Sequence, residues 1–295
     1  MKVGICLPYM KENLDRATMI QWCQRIDEGP FHSLSCGERI TGPTLEMRAV
    51  LAMAAALTER VRINASLYVL PMHDAVWAAK EIATLDVLSG GRMDITVGVG
   101  GRELDYKAVG ASFAKRHQRM DEQIAVMKSI WAGNPPFEGI DPVGPVPLQS
   151  GGPPILAGAM GPKSMARCAQ WADGVYAFSM NGEREEMQRL LALADTAWND
   201  AGREKPPYKL GGCWYTLAPE NAQQKMTDYV YSYLKIMGDD IAKMVADSMT
   251  RFTPDGVNQA LDIMEELGCE EAFMVPATAE IAEVDGLAEL LAKRL

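Results

Sequence analysis

The chain has 295 residues, 48% hydrophobic and 23% charged, with a formal net charge of −10 at pH 7. That length holds one large α/β domain or two ordinary ones, and the acidic balance, without any Lys/Arg-rich run, argues against a nucleic-acid partner. Six scattered cysteines without a CxxC, 19 methionines and no apolar run long enough for a signal peptide or a membrane span lead us to expect a soluble cytoplasmic protein with no membrane partner.

Short β-branched runs alternate with longer helical patterns along the whole chain. The expected strands are 2–7, 31–35, 62–70, 93–99, 154–158, 174–178, 208–216 and 271–275. The expected helices are 14–27, 44–59, 75–88, 113–131, 163–171, 185–201, 220–238 and 255–267. Strict alternation implies parallel strands joined by right-handed crossovers. Eight such units favour a closed (β/α)8 TIM barrel, with an open doubly wound sheet as the other arrangement that alternates. One domain, 1–295, is expected. It carries an irregular Pro/Gly-rich segment at 133–153, read as a lid or a wrapping surface segment, and a helical insertion at 218–256. Both are expected to help wall a substrate site.

Two glycine-rich turns stand out. TVGVGG, 96–101, lacks the third glycine of a dinucleotide fingerprint and sits on the fourth strand. Its glycines are read as clearing space for a ligand ring at the carboxyl end of a strand, the alternative being a plain tight turn. In GAMGPKS, 158–164, Pro162 opens a helix whose first free amides form a ready anion seat; a capped helix without ligand is the competing reading. Arg116 and Arg119 lie one turn apart in FAKRHQRMDE and read as an ion-paired helix face. The three histidines show no metal spacing. In a barrel, the polar residues just past strand ends are the candidates for a site: Tyr9, Glu38, Arg39, His73, Arg102, Glu103, Asp105, Asn181 and Tyr215. They contain no evident acid–base pair, which suits a protein whose cofactor carries the chemistry.

The stretch VRINASLYVLPMHDAVWAAKEIATLDVLSGGRMDITVGVGGRELDYKAVGASFAKRHQRMDEQIAVMKSIW closely resembles the luciferase-like monooxygenase family of barrel flavoproteins. So do PPILAGAMGPKSMARCAQWADGV and the opening KVGICLPY with SLSCGERIT. The resemblance is to the branch that uses the deazaflavin coenzyme F420, with FMN-dependent members sharing nearly all these motifs. It implies that Ser66 and Leu67 occupy the strand-three position where the family often has a non-prolyl cis peptide against the flavin ring. It also implies that Gly100, Gly101 and Glu103 border the ring or its polyol chain, and that Gly158, Ala159, Met160, Gly161 and Lys163 form the phosphate-binding turn. Many relatives carry an acidic residue followed by histidine after strand two. Here Glu38-Arg39 stands instead, so no histidine acid–base is expected there, and Glu38 or Glu103 is the expected proton donor. Arg39 is expected to meet an anionic substrate group or the acidic tail of F420, and Tyr9 and His73 to face substrate. The implied function is hydride transfer between F420 and a small organic substrate, in a homodimer. The alternatives are an FMN-dependent monooxygenase and a non-catalytic flavin-binding barrel.

Overall fold

The computed structural model describes residues 1–294. Its strands are β1 (Lys2–Cys6), β2 (Ser33–Cys36), β3 (Arg62–Tyr68), β4 (Met93–Val97), β5 (Ile155–Ala157), β6 (Gly174–Phe178), β7 (Tyr208–Tyr215) and β8 (Glu271–Pro276). Each pairs in parallel with its neighbour in sequence, and β8 pairs with β1, so the sheet closes as a (β/α)8 barrel. Between and after the strands run α1 (Arg16–Glu28), α2 (Met47–Leu57), α3 (Ala75–Leu88), α4 (Glu103–Ala108), α5 (Arg116–Trp131), α6 (Pro162–Cys168), α7 (Arg184–Asp200), α8 (Ala222–Leu234), α9 (Asp239–Asp247), α10 (Pro254–Glu266) and α11 (Ala282–Ala292).

Local chemistry sets the helix starts. Asp15 accepts the Thr18 N–H at 2.8 Å ahead of α1, and Asp74 takes the amides of Val76 and Trp77 ahead of α3. Thr253 caps α10, with Pro254 in its first turn. The helices press one apolar face onto the outside of the barrel, where Trp22 of α1 and Trp198 of α7 are fully buried. Inside the barrel, Leu156, Tyr176, Leu210 and Phe273 pack together and fill its centre.

The irregular 133–153 segment does not reach the substrate side. It leaves α5 and enters β5, and in a barrel such helix-to-strand connections lie at the amino ends of the strands, opposite the active face. Lys80 of α3 holds its Gly144 carbonyl at 2.7 Å, and Gln149 bonds Asp86 and the Met93 carbonyl. It wraps the floor and walls nothing at the mouth. The 218–256 insertion follows a strand, and it does reach the mouth. Two helices were not expected from the sequence. One is α4, six residues over the polar ELDYKA; the other is α11 after the last strand.

Candidate active site

At the carboxyl ends of the strands lies a cavity of about 290 Å³. Glu38 and Arg39 reach it from the turn after β2, Ser66 and Leu67 from β3, and Gly100, Gly101 and Arg102 from the turn after β4. Gly158 and Met160 border it from the turn after β5, and Tyr9 and Met10 from the turn after β1. The opposite wall is aromatic: Tyr176 and Phe178 of β6, Trp214 of β7, and Tyr229 and Tyr233 of α8.

At Ser66–Leu67 the pairing of β3 with β4 shifts register, and the peptide between them is cis. Leu67 lies across the neighbouring strand ends. A Cβ on Gly158 would come within 2.7 Å of a Leu67 methyl, and one on Gly98 within 3.2 Å. Gly100 has φ +60°, and a Cβ there would fall 2.9 Å from Val69. Of the glycines in TVGVGG, Gly98 makes room for Leu67 of β3, and Gly100, which lines the cavity, makes room for Val69 just after it. Gly101 has nothing within 4 Å of where a Cβ would stand. Ser66 Oγ is buried and has no hydrogen-bond partner.

Glu38 is held at both carboxylate oxygens. The Val69 N–H donates to its Oε2 at 2.8 Å, and His73 Nε2 lies 2.7 Å from Oε1. Strands β2 and β3 are adjacent and parallel, so their carboxyl ends are neighbours. A 3-10 turn over Leu70–Met72 then brings His73 onto Glu38. Gln123 Nε2 of α5 fixes the His73 carbonyl at 2.7 Å, Arg119 Nη2 reaches the same oxygen, and the Tyr68 ring lies 4.7 Å from the imidazole. The histidine expected to be missing beside Glu38 is thus supplied from the turn after β3. His73 itself is mostly buried behind Glu38 and does not line the cavity, contrary to its expected contact with substrate.

Asp105 is buried and accepts from Ile40 N–H and Thr41 Oγ1, which ties α4 to the turn after β2. Arg102 Nη2 donates to the Tyr233 carbonyl at 3.0 Å, linking the β4 turn to α8. Burial pushes the phenols of Tyr9, Tyr176 and Tyr229 well above their ordinary range, so they remain neutral donors. Burial likewise raises the Cys6 thiol to about 11, which removes it as a nucleophile. Over the Tyr229 ring, 4.7 Å from its centroid, sits Lys11 Nζ; burial lowers its pKa.

Other candidates fall elsewhere. Glu103 occupies the exposed first turn of α4 and does not line the cavity, although Arg102 and Asp105 on either side do. Of the GAMGPKS turn, Gly158 and Met160 border the cavity, Ala159 is buried in the core, and Gly161 and Lys163 start α6 beyond it. The Gly161 N–H is taken by Ser164 Oγ, and Arg189 of α7 donates to the Met160 carbonyl at 3.3 Å. Asn181 accepts from Thr250, and Tyr215 donates to the Glu283 carbonyl. The aromatic wall is absent from the residues the sequence singles out. Its mark in the sequence is the period-two placement of Tyr176 and Phe178 at the end of β6, together with the i, i+4 pair Tyr229 and Tyr233.

Comparison with known proteins decides the family. The family model for luciferase-like monooxygenases matches residues 1–269. The chain belongs to that family. It is 28% identical over 190 residues to the oxygenase component of the flavin-dependent trigonelline monooxygenase of Acinetobacter baylyi, covering 61% of this chain and 53% of that protein. The chain spans little more than half the length of the curated relatives it matches. Among solved structures, monooxygenase RslO1 of Streptomyces bottropensis superposes with a TM-score of 0.81 at 24% identity, covering 100% of this chain and 98% of that one. An F420-dependent secondary alcohol dehydrogenase holding an F420–acetone adduct superposes with a TM-score of 0.79 at 15% identity, covering 98% of each. Both likenesses concern the fold.

Proposed function

We propose that this chain is an oxidoreductase that transfers a hydride between the deazaflavin F420 and a small organic substrate. The Glu38–His73 pair at the cavity edge carries the reading. Reduction of a carbonyl consumes a hydride at carbon and a proton at oxygen, and the reverse reaction releases both. The hydride belongs to the coenzyme, but the proton needs a protein group beside the substrate. Glu38 lines the cavity and exchanges that proton through its carboxyl oxygens, while His73 Nε2, 2.7 Å behind, passes it on. This pair also counts against a merely binding barrel.

The residues fit a flat tricyclic ring. Ser66 Oγ, buried and unpartnered, offers a hydrogen bond at one face of the cavity, and Leu67 gives that face an apolar surface. Tyr176, Phe178 and Trp214 bound the space opposite, and Gly101 leaves its own edge clear. Toward the surface, the turn from Gly158 to Lys163, with Arg189 beside it, would hold the coenzyme's phosphate. When bound, the deazaflavin supplies or accepts the hydride at a ring carbon. Its binding is supported by the F420-dependent dehydrogenase among the superposable structures.

The second reading, an FMN-dependent monooxygenase, is favoured by the likeness to the trigonelline oxygenase component. Fluorescence titration of the purified protein with F420 and with FMN separates the two. We expect tight binding of F420 and weak binding of FMN. The reverse order would replace the first reading by the second, and binding of neither would remove both.

A further inference from the structure

We propose that Arg39 determines substrate class by docking the carboxylate of a flat, largely apolar organic acid, given the reading of the cavity as a coenzyme and substrate site. Two guanidinium groups line the cavity, and they are used differently. Arg102 is spent on the Tyr233 carbonyl. Arg39 makes no side-chain hydrogen bond or ion pair among the described residues, and its Nε is buried without a partner. A guanidinium carries five N–H donors in a fixed planar fork, and a buried charged donor left unpaired is costly unless a partner arrives.

The fork is also held in place. Gly42, at φ +104°, lies against it, with the position of a Cβ only 3.4 Å from Arg39 Cζ and Nη2. The Arg39 backbone carbonyl accepts from Thr44 Oγ1 at 2.9 Å, which fixes the turn. Arg39 stands at a doorway. It borders the 290 Å³ cavity on one side and, on the other, a wider cleft of about 900 Å³ that opens between the turn after β1 and α8. In that cleft Lys225 is paired with Glu280, and Lys11 sits over the Tyr229 ring.

The charge balance allows no more than a monoanion at Arg39. Two carboxylates line the same cavity, Glu38 and Asp105, and both have their oxygens engaged: Glu38 by Val69 N–H and His73, Asp105 by Ile40 N–H and Thr41. Two guanidinium groups and two carboxylates leave the lining formally neutral, and Arg39 is the cation of the two whose side chain has no hydrogen-bond partner among the described residues, so one carboxylate is the most it pairs. A dianionic phosphate would bring more negative charge than the site neutralises. With the acid at Arg39, the body of the substrate lies against the rings of Tyr229 and Tyr233, on the α8 side of the space given to the coenzyme ring, a lining suited to a planar apolar skeleton.

Calorimetric titration with benzoate and 2-naphthoate, each against its uncharged primary amide, tests the assignment on the 295-residue chain with and without coenzyme. We expect the acids to bind about tenfold or more tightly than the amides, and Arg39→Gln to erase that preference while leaving amide binding and coenzyme affinity unchanged. Arg39→Lys should keep only part of it, because the ammonium lacks the planar fork. An acid-over-amide preference that is absent, or that survives in Arg39→Gln, overturns the proposal. So does a selective loss of affinity in Arg39→Gln for F420 with its glutamyl tail but not for the tail-less deazaflavin, which would give Arg39 to the coenzyme. Failure of the protein to bind any flavin or deazaflavin would instead sink the preceding reading, since the acid–amide comparison reads out on coenzyme-free protein.

Discussion

At the floor of the barrel Arg62 forks onto Asp94 and reaches Gln149 and the Met93 carbonyl; Glu271 is held by Ser33 and Tyr208. At the mouth, Arg39 and Ser66 present buried polar atoms that nothing in the chain satisfies. The same residue types thus do opposite things at the two ends. Floor groups are closed on one another and hold the strands in register, whereas at the mouth Arg39 and Ser66 keep polar atoms open beside the paired Glu38, Arg102 and Asp105. The difference teaches where to look for function in a symmetrical fold. An unpartnered polar atom on the cavity wall marks a place to look for a ligand, whereas pairing alone does not mark scaffold, since Glu38 is paired too.

Breaking the floor should give the largest effect. Arg62→Met leaves Asp94 and Gln149 without their shared donor and should cost about 3 kcal/mol of stability, measured by urea denaturation, with coenzyme affinity unchanged. A variant of parental stability would show that the floor network is dispensable. At the mouth, Glu38→Gln preserves the shape and can still accept from Val69, but it cannot exchange a proton. We expect kcat to fall about a hundredfold while the denaturation midpoint stays near the parental one. Undiminished kcat would take Glu38 out of the proton path.

The smallest effect concerns Asp27, at the floor end of α1, whose carboxylate accepts from the backbone of Glu59, Arg60 and Val61 at 2.8–2.9 Å. Burial alone raises its pKa, but those three N–H groups and Arg60 bring it below the ordinary value. The ionised form is therefore favoured by folding. Its contribution is present above the unfolded pKa of about 4 and is lost as pH falls through the lower folded value. Asp27→Asn should cost about 1 kcal/mol at pH 7, and the gap from the parent should narrow below pH 4. A gap that stays constant with pH would mean the charge is irrelevant.

Much of the fold was legible because alternating β-branched and amphipathic segments carry it locally. All eight strands fall within two residues of the expected bounds at either end. The helices that escaped notice have local causes. ELDYKA is too short and polar to show a 3.6-residue period, and Gly286 interrupts the apolar pattern of α11 where Leu217 packs against it. The candidate site was legible only where strand ends bear polar or glycine residues. The His73–Glu38 contact joins residues 35 positions apart and depends on adjacent strands plus one 3-10 turn, so no spacing rule displays it. The 133–153 segment was misplaced for a topological reason: its composition says loop, but only its position after a helix says which end of the barrel it covers.

The way α8 meets the barrel has a consequence for ancestry and recombination. Tyr229 and Tyr233 arrive on one uninterrupted stretch, 218–256, while the Glu38–His73 pair and the bulge at Ser66 come from the second and third strands and the turns that follow them. The α8 part of the aromatic wall and the Glu38–His73 pair are therefore written on separate lengths of gene, whereas Arg39, the proposed reader of the acid, travels with Glu38. Rewriting some forty codons would reshape the side of the cavity that Tyr229 and Tyr233 bound and leave Glu38, Arg39 and His73 where they are.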